Sequence, residues 1–182
     1  MSMKIKLLVS ALMSLSLAMA STAQAAPQPE DWQTPEAIVH ALYEVVSADA
    51  GEQRDWDRYR ALFIEGAQLS VAMDASIGSG IMAMGAEDLI GQTETAYAAS
   101  GFHELPLVTR VERHGLLASV MSSFEIRLRR SDEKPLVRGL NHFQLLNDGE
   151  RWWIVSNIGV METPSAPLPA EFQAAANQEI QQ

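Results

Sequence analysis

Few side chains in this sequence can move a proton or hold a metal, and their spacing limits what each can do. His40 and Glu44 stand four residues apart, which places two ligands on one helical face, but no third ligand follows nearby. No metal site and no cofactor is therefore expected. His103, where a strand pattern begins, and Asp74, where another ends, are the candidate catalytic acid–base groups, with Tyr43, Tyr59 and Tyr97 as supporting hydroxyls. Asn141 is the other polar residue in a telling place, because an amide can orient a ligand but cannot transfer a proton. The chain has no cysteine, which removes thiol nucleophiles, Cys-ligated metal and disulfides.

The elements that must position these groups start after residue 25. Lys4 and Lys6 precede an apolar run from 7 to 20, and Ala23-Gln24-Ala25 is a small-x-small cleavage site, so residues 1–25 read as a secretory signal peptide cut after Ala25. The expected location is periplasmic or secreted, with no membrane association once the signal is removed. Cleavage removes two of the 13 basic residues and none of the 23 acidic ones, leaving a net charge of −12. That balance is wrong for nucleic acid, and no basic stripe with interleaved aromatics appears.

Thr34 caps a first helix, with Pro35 at its first position and Ile38, Leu42, Val45 and Val46 at helical spacing to about residue 50. A second helix is expected from the cap Asp55, carrying Trp56, Tyr59, Leu62 and Phe63 on one side and stopping at Gly66. A strand over 67–73, a Gly- and Met-rich turn, a short strand over 80–84 and a third helix over 86–100 follow. The turn's Gly-Ser-Gly lacks the Lys and Ser or Thr of a phosphate loop. The period then changes to two, giving four long strands over 102–113, 116–129, 135–147 and 151–161. Long antiparallel strands with one apolar face must twist and curl, so the fold class is α+β, with three N-terminal helices filling the concave side of a mainly antiparallel sheet.

Parity decides which groups point inward. Leu116, Ala118, Val120, Ser122, Phe124, Ile126 and Leu128 form the apolar face of the second long strand. A two-residue turn at His114-Gly115 then brings His103, Leu105, Leu107, Thr109 and Val111 to the same face. The third strand contributes Val137, Gly139, Asn141, Phe143 and Leu145. A four-residue turn after it places Asn141 opposite Ser156 and brings in Trp152, Ile154, Ile158 and Val160; a three-residue turn would instead bring in Trp153, Val155 and Asn157, and the first is preferred because its face is the more apolar. Gly139 beside Asn141 suggests room, and Glu104, Glu112 and Glu125 are expected on the outer face.

The element order, with DWDRYRALFIEGAQL early, GFHE opening the long strands and VRGLNHFQLLNDGERWWIVS late, resembles the nuclear transport factor 2-like superfamily, closest to its SnoaL-like and ketosteroid isomerase-like members. The resemblance covers residues 34–162 and implies a cone-shaped α+β barrel; residues 163–182 are left as a flexible C-terminal tail. It implies little about activity, since such folds serve enzymes and binding domains alike. It also implies a homodimer through the outer face of the sheet, where Met121, His142, Gln144, Trp153 and Val155 would lie.

The leading expectation is a secreted domain that binds a small apolar or aromatic molecule. Its pocket would be oriented by Asn141, Ser122, Ser156 and Thr109 and walled by Phe63, Phe124, Phe143, Trp152, Tyr59 and Tyr97. An isomerase, cyclase or dehydratase using His103 or Asp74 is the alternative, and a non-catalytic structural or interaction module is a third.

Overall fold

The computed structural model describes residues 28–73 and 80–174. The segment 1–25 and Asp74 lie outside the described residues.

Thr34 accepts a hydrogen bond from the Ala37 backbone N–H at 3.1 Å, and helix α1 runs Pro35–Val46. It stops short of residue 50 because Ser47 turns extended. Helix α2 is only Trp56–Arg60, capped by Asp55. The expected continuation to Gly66 gives way to a strand: Phe63 pairs with Ile154, and Gly66, at φ 78°, sits in the irregular stretch before Gln68. Sheet pairing here outweighs local helical spacing.

Strands β1 (Phe63–Met73) and β2 (Gly80–Gly85), helix α3 (Ala86–Tyr97) and strands β3 (His103–His114), β4 (Leu117–Arg127), β5 (Val137–Asn147) and β6 (Trp152–Met161) complete the domain. The six strands form one curled sheet in the order β2-β1-β6-β5-β4-β3, with β1 parallel to β6 and every other pair antiparallel. Helix α1 supplies Ile38, Val39, Leu42 and Tyr43 to a core closed by Val120, Phe124, Phe143, Leu145, Trp152 and Ile154 from the sheet.

The turn between β3 and β4 is Gly115-Leu116, with Gly115 at φ 59° and His114 paired with Leu117. Leu116 is therefore a turn residue, 57% exposed, rather than a core residue. The register moves by two residues, so Thr109 and Val111 still share a face with Ser122 and Val120. Further up β3 the parity inverts. Leu107 is an extra residue between the pairs Pro106–Phe124 and Val108–Ser123. Beyond this bulge Glu104 and Pro106 face the core, while His103 and Leu105 do not.

A second bulge at Val155 does the same to β6. Leu145 pairs with Ile154 and Gln144 with Ser156, so Trp152 and Ile154 face in before the bulge and Asn157 and Gly159 face in after it. Ser156, Ile158 and Val160 move to the outer face, and Asn141 stands opposite Gly159 rather than Ser156. The described part of the C-terminal stretch, to residue 174, is held rather than loose. Leu168 and Phe172 are buried, and Ser123 donates to the Phe172 carbonyl at 2.7 Å on the outer face of β4.

Candidate functional site

Four inward positions line up across the sheet: Thr109 pairs with Ser122, Ser122 with Asn141, and Asn141 with Gly159. Such a row brings three polar side chains within reach of one another in an otherwise apolar interior. The Thr109 and Ser122 hydroxyls are 2.9 Å apart. Gly159 is what admits the amide, since a Cβ there would lie 2.8 Å from Asn141 Oδ1. Gly139 has the opposite meaning to that expected: its missing side chain is filled by the Phe124 ring, whose Cζ would be 2.4 Å from a Cβ, so it leaves no cavity.

The bulge at Leu107 delivers a carboxyl group to this row. Asn141 Nδ2 donates to Glu104 Oε1 at 3.0 Å and to the Tyr43 hydroxyl at 3.3 Å, and Asn157 Nδ2 donates to Asn141 Oδ1 at 3.4 Å. The Tyr43 hydroxyl also has Ser122 as a neighbour. Ser47 joins the two chain segments that carry Glu104 and Tyr43, because its Oγ donates to the Tyr43 carbonyl at 2.7 Å and accepts from the Glu104 backbone N–H at 3.0 Å. The residue that ends α1 thereby sets the distance between the acid and the phenol.

Burial dominates the electrostatics. Desolvation pushes the Glu104 carboxyl up to about 7, against the opposing hydrogen bond from Asn141. Desolvation also raises Tyr43, and the neighbouring Glu104 charge raises it further, while the bonds from Ser122 and Asn141 pull it back. The site thus holds a neutral phenol beside a carboxyl group that changes charge near neutrality.

A cleft of about 550 Å³ opens between the Pro29–Trp32 turn, α1 and β3. Tyr43, Pro106 and Thr109 belong to its lining, and Tyr43 and Thr109 belong also to the polar network. Ser122, Asn141 and Glu104 stand one or two hydrogen bonds behind them. The remaining lining is rich in acid: Glu30, Asp31, Glu36 and Glu44, with Arg58 bonded at 2.8 Å to both Asp31 and Glu44. A depression of about 830 Å³ between β2 and α3 shares no residue with the network.

Several expected site residues lie elsewhere. His103 points away from Glu104 and binds Asp49 Oδ1 through Nε2 at 2.9 Å, so it is not the acid–base group of the cone. Ser156 donates to Gln144 Oε1 at 3.0 Å on the outer face. Phe124, Phe143 and Trp152 pack in the core, and Phe63 packs on Tyr59 with ring centres 4.8 Å apart. Tyr59 donates to the Ala86 carbonyl and Tyr97 lies against Phe102, both apart from the network. Glu44, which lies 3.3 Å from His40, is held by Arg58, and no cluster of three or more metal-ligating side chains occurs among the described residues.

On the outer face, His142 is bonded to Ser119 at 2.7 Å, and Trp153 donates to Asp148 at 2.7 Å. Trp153 also stacks on Arg151, whose guanidinium lies between it and Trp32, 3.7 Å from each ring. Met121 and His142 border a shallow depression with Phe172.

Glu104 and Asn157 are the functional candidates that alternation alone misassigns. Each lies beyond a bulge, and the bulge in β3 has a neighbour that marks it, Pro106 next to Leu107. A proline or glycine inside a strand pattern is a signal of such irregularity.

Comparison with solved structures agrees with this architecture. A protein of unknown function from Mycobacterium tuberculosis superposes with a TM-score of 0.54 at 16% identity, over 75% of this chain and 80% of that one. A cystatin-like-fold protein of unknown function from Nostoc punctiforme gives 0.52 at 15% identity, over 75% and 98%. A nuclear transport factor 2-like protein of unknown function from Silicibacter pomeroyi gives 0.50 at 16% identity, over 70% and 92%. This is the nuclear transport factor 2-like fold. No family model and no curated protein matches the sequence. Likeness at this identity defines the nuclear transport factor 2-like architecture and leaves the chemistry to the residues.

Proposed function

We propose that the chain is exported, cleaved after Ala25, and serves as a small-molecule-binding domain whose ligand occupies the cleft between α1 and β3. One observation carries the reading: Tyr43 and Thr109 both belong to the lining of the cleft and each leads to polar groups behind it, Tyr43 to Asn141 and through it Glu104, and Thr109 to Ser122. Ligand pockets characteristically combine apolar walls with a few convergent polar groups. Pro106, Ala37 and Ala41 supply apolar wall here, and the acidic rim disfavours an anionic ligand. A neutral molecule with an apolar or aromatic body and one polar group fits these constraints.

Native mass spectrometry of the protein purified from its own periplasm tests this reading. The expected result is an N-terminus at Ala26 and a bound small molecule that is lost in Tyr43→Phe and Thr109→Val. An export-competent chain that carries no ligand and binds none of a panel of neutral aromatic compounds would overturn it.

A second reading, an isomerase-, cyclase- or dehydratase-type enzyme, is favoured by Glu104, which lies beside Asn141 where His103 was expected. A carboxyl group held near 7 beside Tyr43 is suited to general acid–base catalysis at neutral pH. In that case Glu104→Gln keeps ligand binding and removes turnover.

A further inference from the structure

The outer face of the sheet carries a hydroxyl and an imidazole that the cleft does not use. Ser119 on β4 and His142 on β5 are diagonal neighbours there, since Ser119 pairs with Gln144 and His142 with Met121. Ser119 Oγ lies 2.7 Å from His142 Nε2. With the imidazole proton on Nδ1, Nε2 accepts the Ser119 O–H, which is the bond through which a histidine takes the proton of an attacking serine. Both side chains are half-buried, so solvent reaches them. The bond is not needed to fix register, because β4 and β5 are already paired without interruption from Leu117 to Ile126.

The pair lines a depression of about 360 Å³, completed by β3 and the C-terminal segment. Phe172 forms its apolar wall, buried and held in place by the Ser123 hydroxyl on its carbonyl. Arg110 lies over the Phe172 ring, 5.5 Å from its centre, and donates one N–H to the Glu171 carbonyl at 3.4 Å. A guanidinium carries five N–H groups, so donors remain for an oxygen that becomes negative in the depression. Arg110 stands opposite Met121 and therefore diagonal to Ser119, within reach of a long side chain. Nucleophile, base and oxyanion donor thus come from three adjacent strands and meet at one hollow, which is what acyl transfer requires.

We propose that this depression is an acyl-transfer site for small uncharged esters, with Ser119 as nucleophile, His142 as its base and Arg110 as donor to the oxyanion. It is separate from the cleft and does not rest on the ligand-binding reading above. Ser119 Oγ bonds to the ester carbonyl carbon while its proton passes to His142 Nε2, and the carbonyl electron pair moves onto the oxygen beside Arg110. Collapse of this intermediate breaks the bond to the leaving oxygen, which takes the proton from His142. Water then attacks the acyl-serine and gives a proton to His142, which returns it to Ser119 as the carboxylic acid departs. Water is the single co-reactant. Glu112, opposite Ser119, and Glu171 disfavour an anionic ester, while Phe172 and Met121 suit a short acyl group or an aryl leaving group.

The test uses the mature protein and two probes. Diisopropyl fluorophosphate is expected to leave one adduct, placed on Ser119 by peptide mass spectrometry, with fluoride expelled. His142→Gln should slow this labelling about a hundredfold. In His142→Gly, added imidazole should restore part of it, which a histidine that only tied two strands together would not show. The second probe, 4-nitrophenyl acetate, should release 4-nitrophenol at a rate that falls to background in Ser119→Ala and by about a hundredfold in Arg110→Gln. His114→Ala, which removes an exposed imidazole at the end of β3, should keep the wild-type rate. Wild-type labelling decides the matter even where a variant fails to fold. A Ser119 left unmodified by excess of both probes, modification of another serine in its place, or nitrophenol release that persists in Ser119→Ala would overturn the proposal.

Discussion

Glu104 is the residue on which site and stability meet. Its carboxyl group is raised from 4.5 to about 7 by burial, so the folded chain holds that proton more tightly than the unfolded chain does. Its contribution to stability is complete below pH 4.5, declines as pH rises from 4.5 to 7, and stays lost above that. The span corresponds to about 3 kcal/mol at most. Glu104→Gln should therefore flatten the decline, which urea titrations at closely spaced pH values measure. Asp148 is lowered to about 2 by the bonds from Trp153 and the backbone, so its opposite slope lies at more acid pH and does not overlap. A second test concerns Gly159. Gly159→Ala drives a methyl to 2.8 Å from Asn141 Oδ1 and should cost about 1 to 3 kcal/mol. In an Asn141→Ser background the cost should shrink, and the double-mutant cycle reports the difference.

The elements explain why alternation found half of this site. Where β3 and β4 pair without interruption, parity placed Thr109, Ser122 and Asn141 on the inner face even though the turn sits one residue later than expected. Where a bulge intervenes, every side chain beyond it changes face, which is why alternation alone sends Glu104 outward and Ser156 inward. A period of two carries no information about an inserted residue; only Pro106, next to Leu107, hints at one. Helix lengths failed for a related reason, since Phe63 belongs by spacing to α2 and by pairing to β1. The bulge makes its own prediction. Deleting Leu107 removes the inserted residue and leaves Pro106 opposite Phe124 and Glu104 opposite Ile126, so Glu104 stays on the inner face. The deletion variant should keep the decline in stability between pH 4.5 and 7, with urea titration again the measurement. A variant that loses that decline would show that the local shape of the bulge, and not register alone, holds Glu104 inward.

At the scale of the molecule, the face opposite the cleft remains to be accounted for. Register places Ile81, Ala72, Val160 and Leu140 in one outer row, and Ala83, Ser70, Ile158, His142 and Met121 in the next. Ile81, Ile158 and Val160 are each more than 40% exposed in the single chain, so this side carries apolar surface that water contacts directly. Part of the face is already used, since Phe172 is tied to Ser123 of β4 through its carbonyl and Arg151 fixes Trp153 against Trp32. That confines the proposed homodimer surface to β2, β1, β6 and the adjacent part of β5, around Ile158 and Val160, with Met121, His142 and Gln144 toward its border and Val155 at the bulge. A stable dimer needs about 800 Å² from each partner, more than two or three side chains provide, so the rows must act together. Placing a charge in the middle is then the informative change. Ile158→Lys and Val160→Lys should each convert a dimer to a monomer in sedimentation velocity. Both residues lie on the face opposite Asn141, so the pH dependence set by Glu104 should persist. A wild-type chain that sediments as a monomer at the highest concentrations reached would remove the dimer and leave the rows as plain surface.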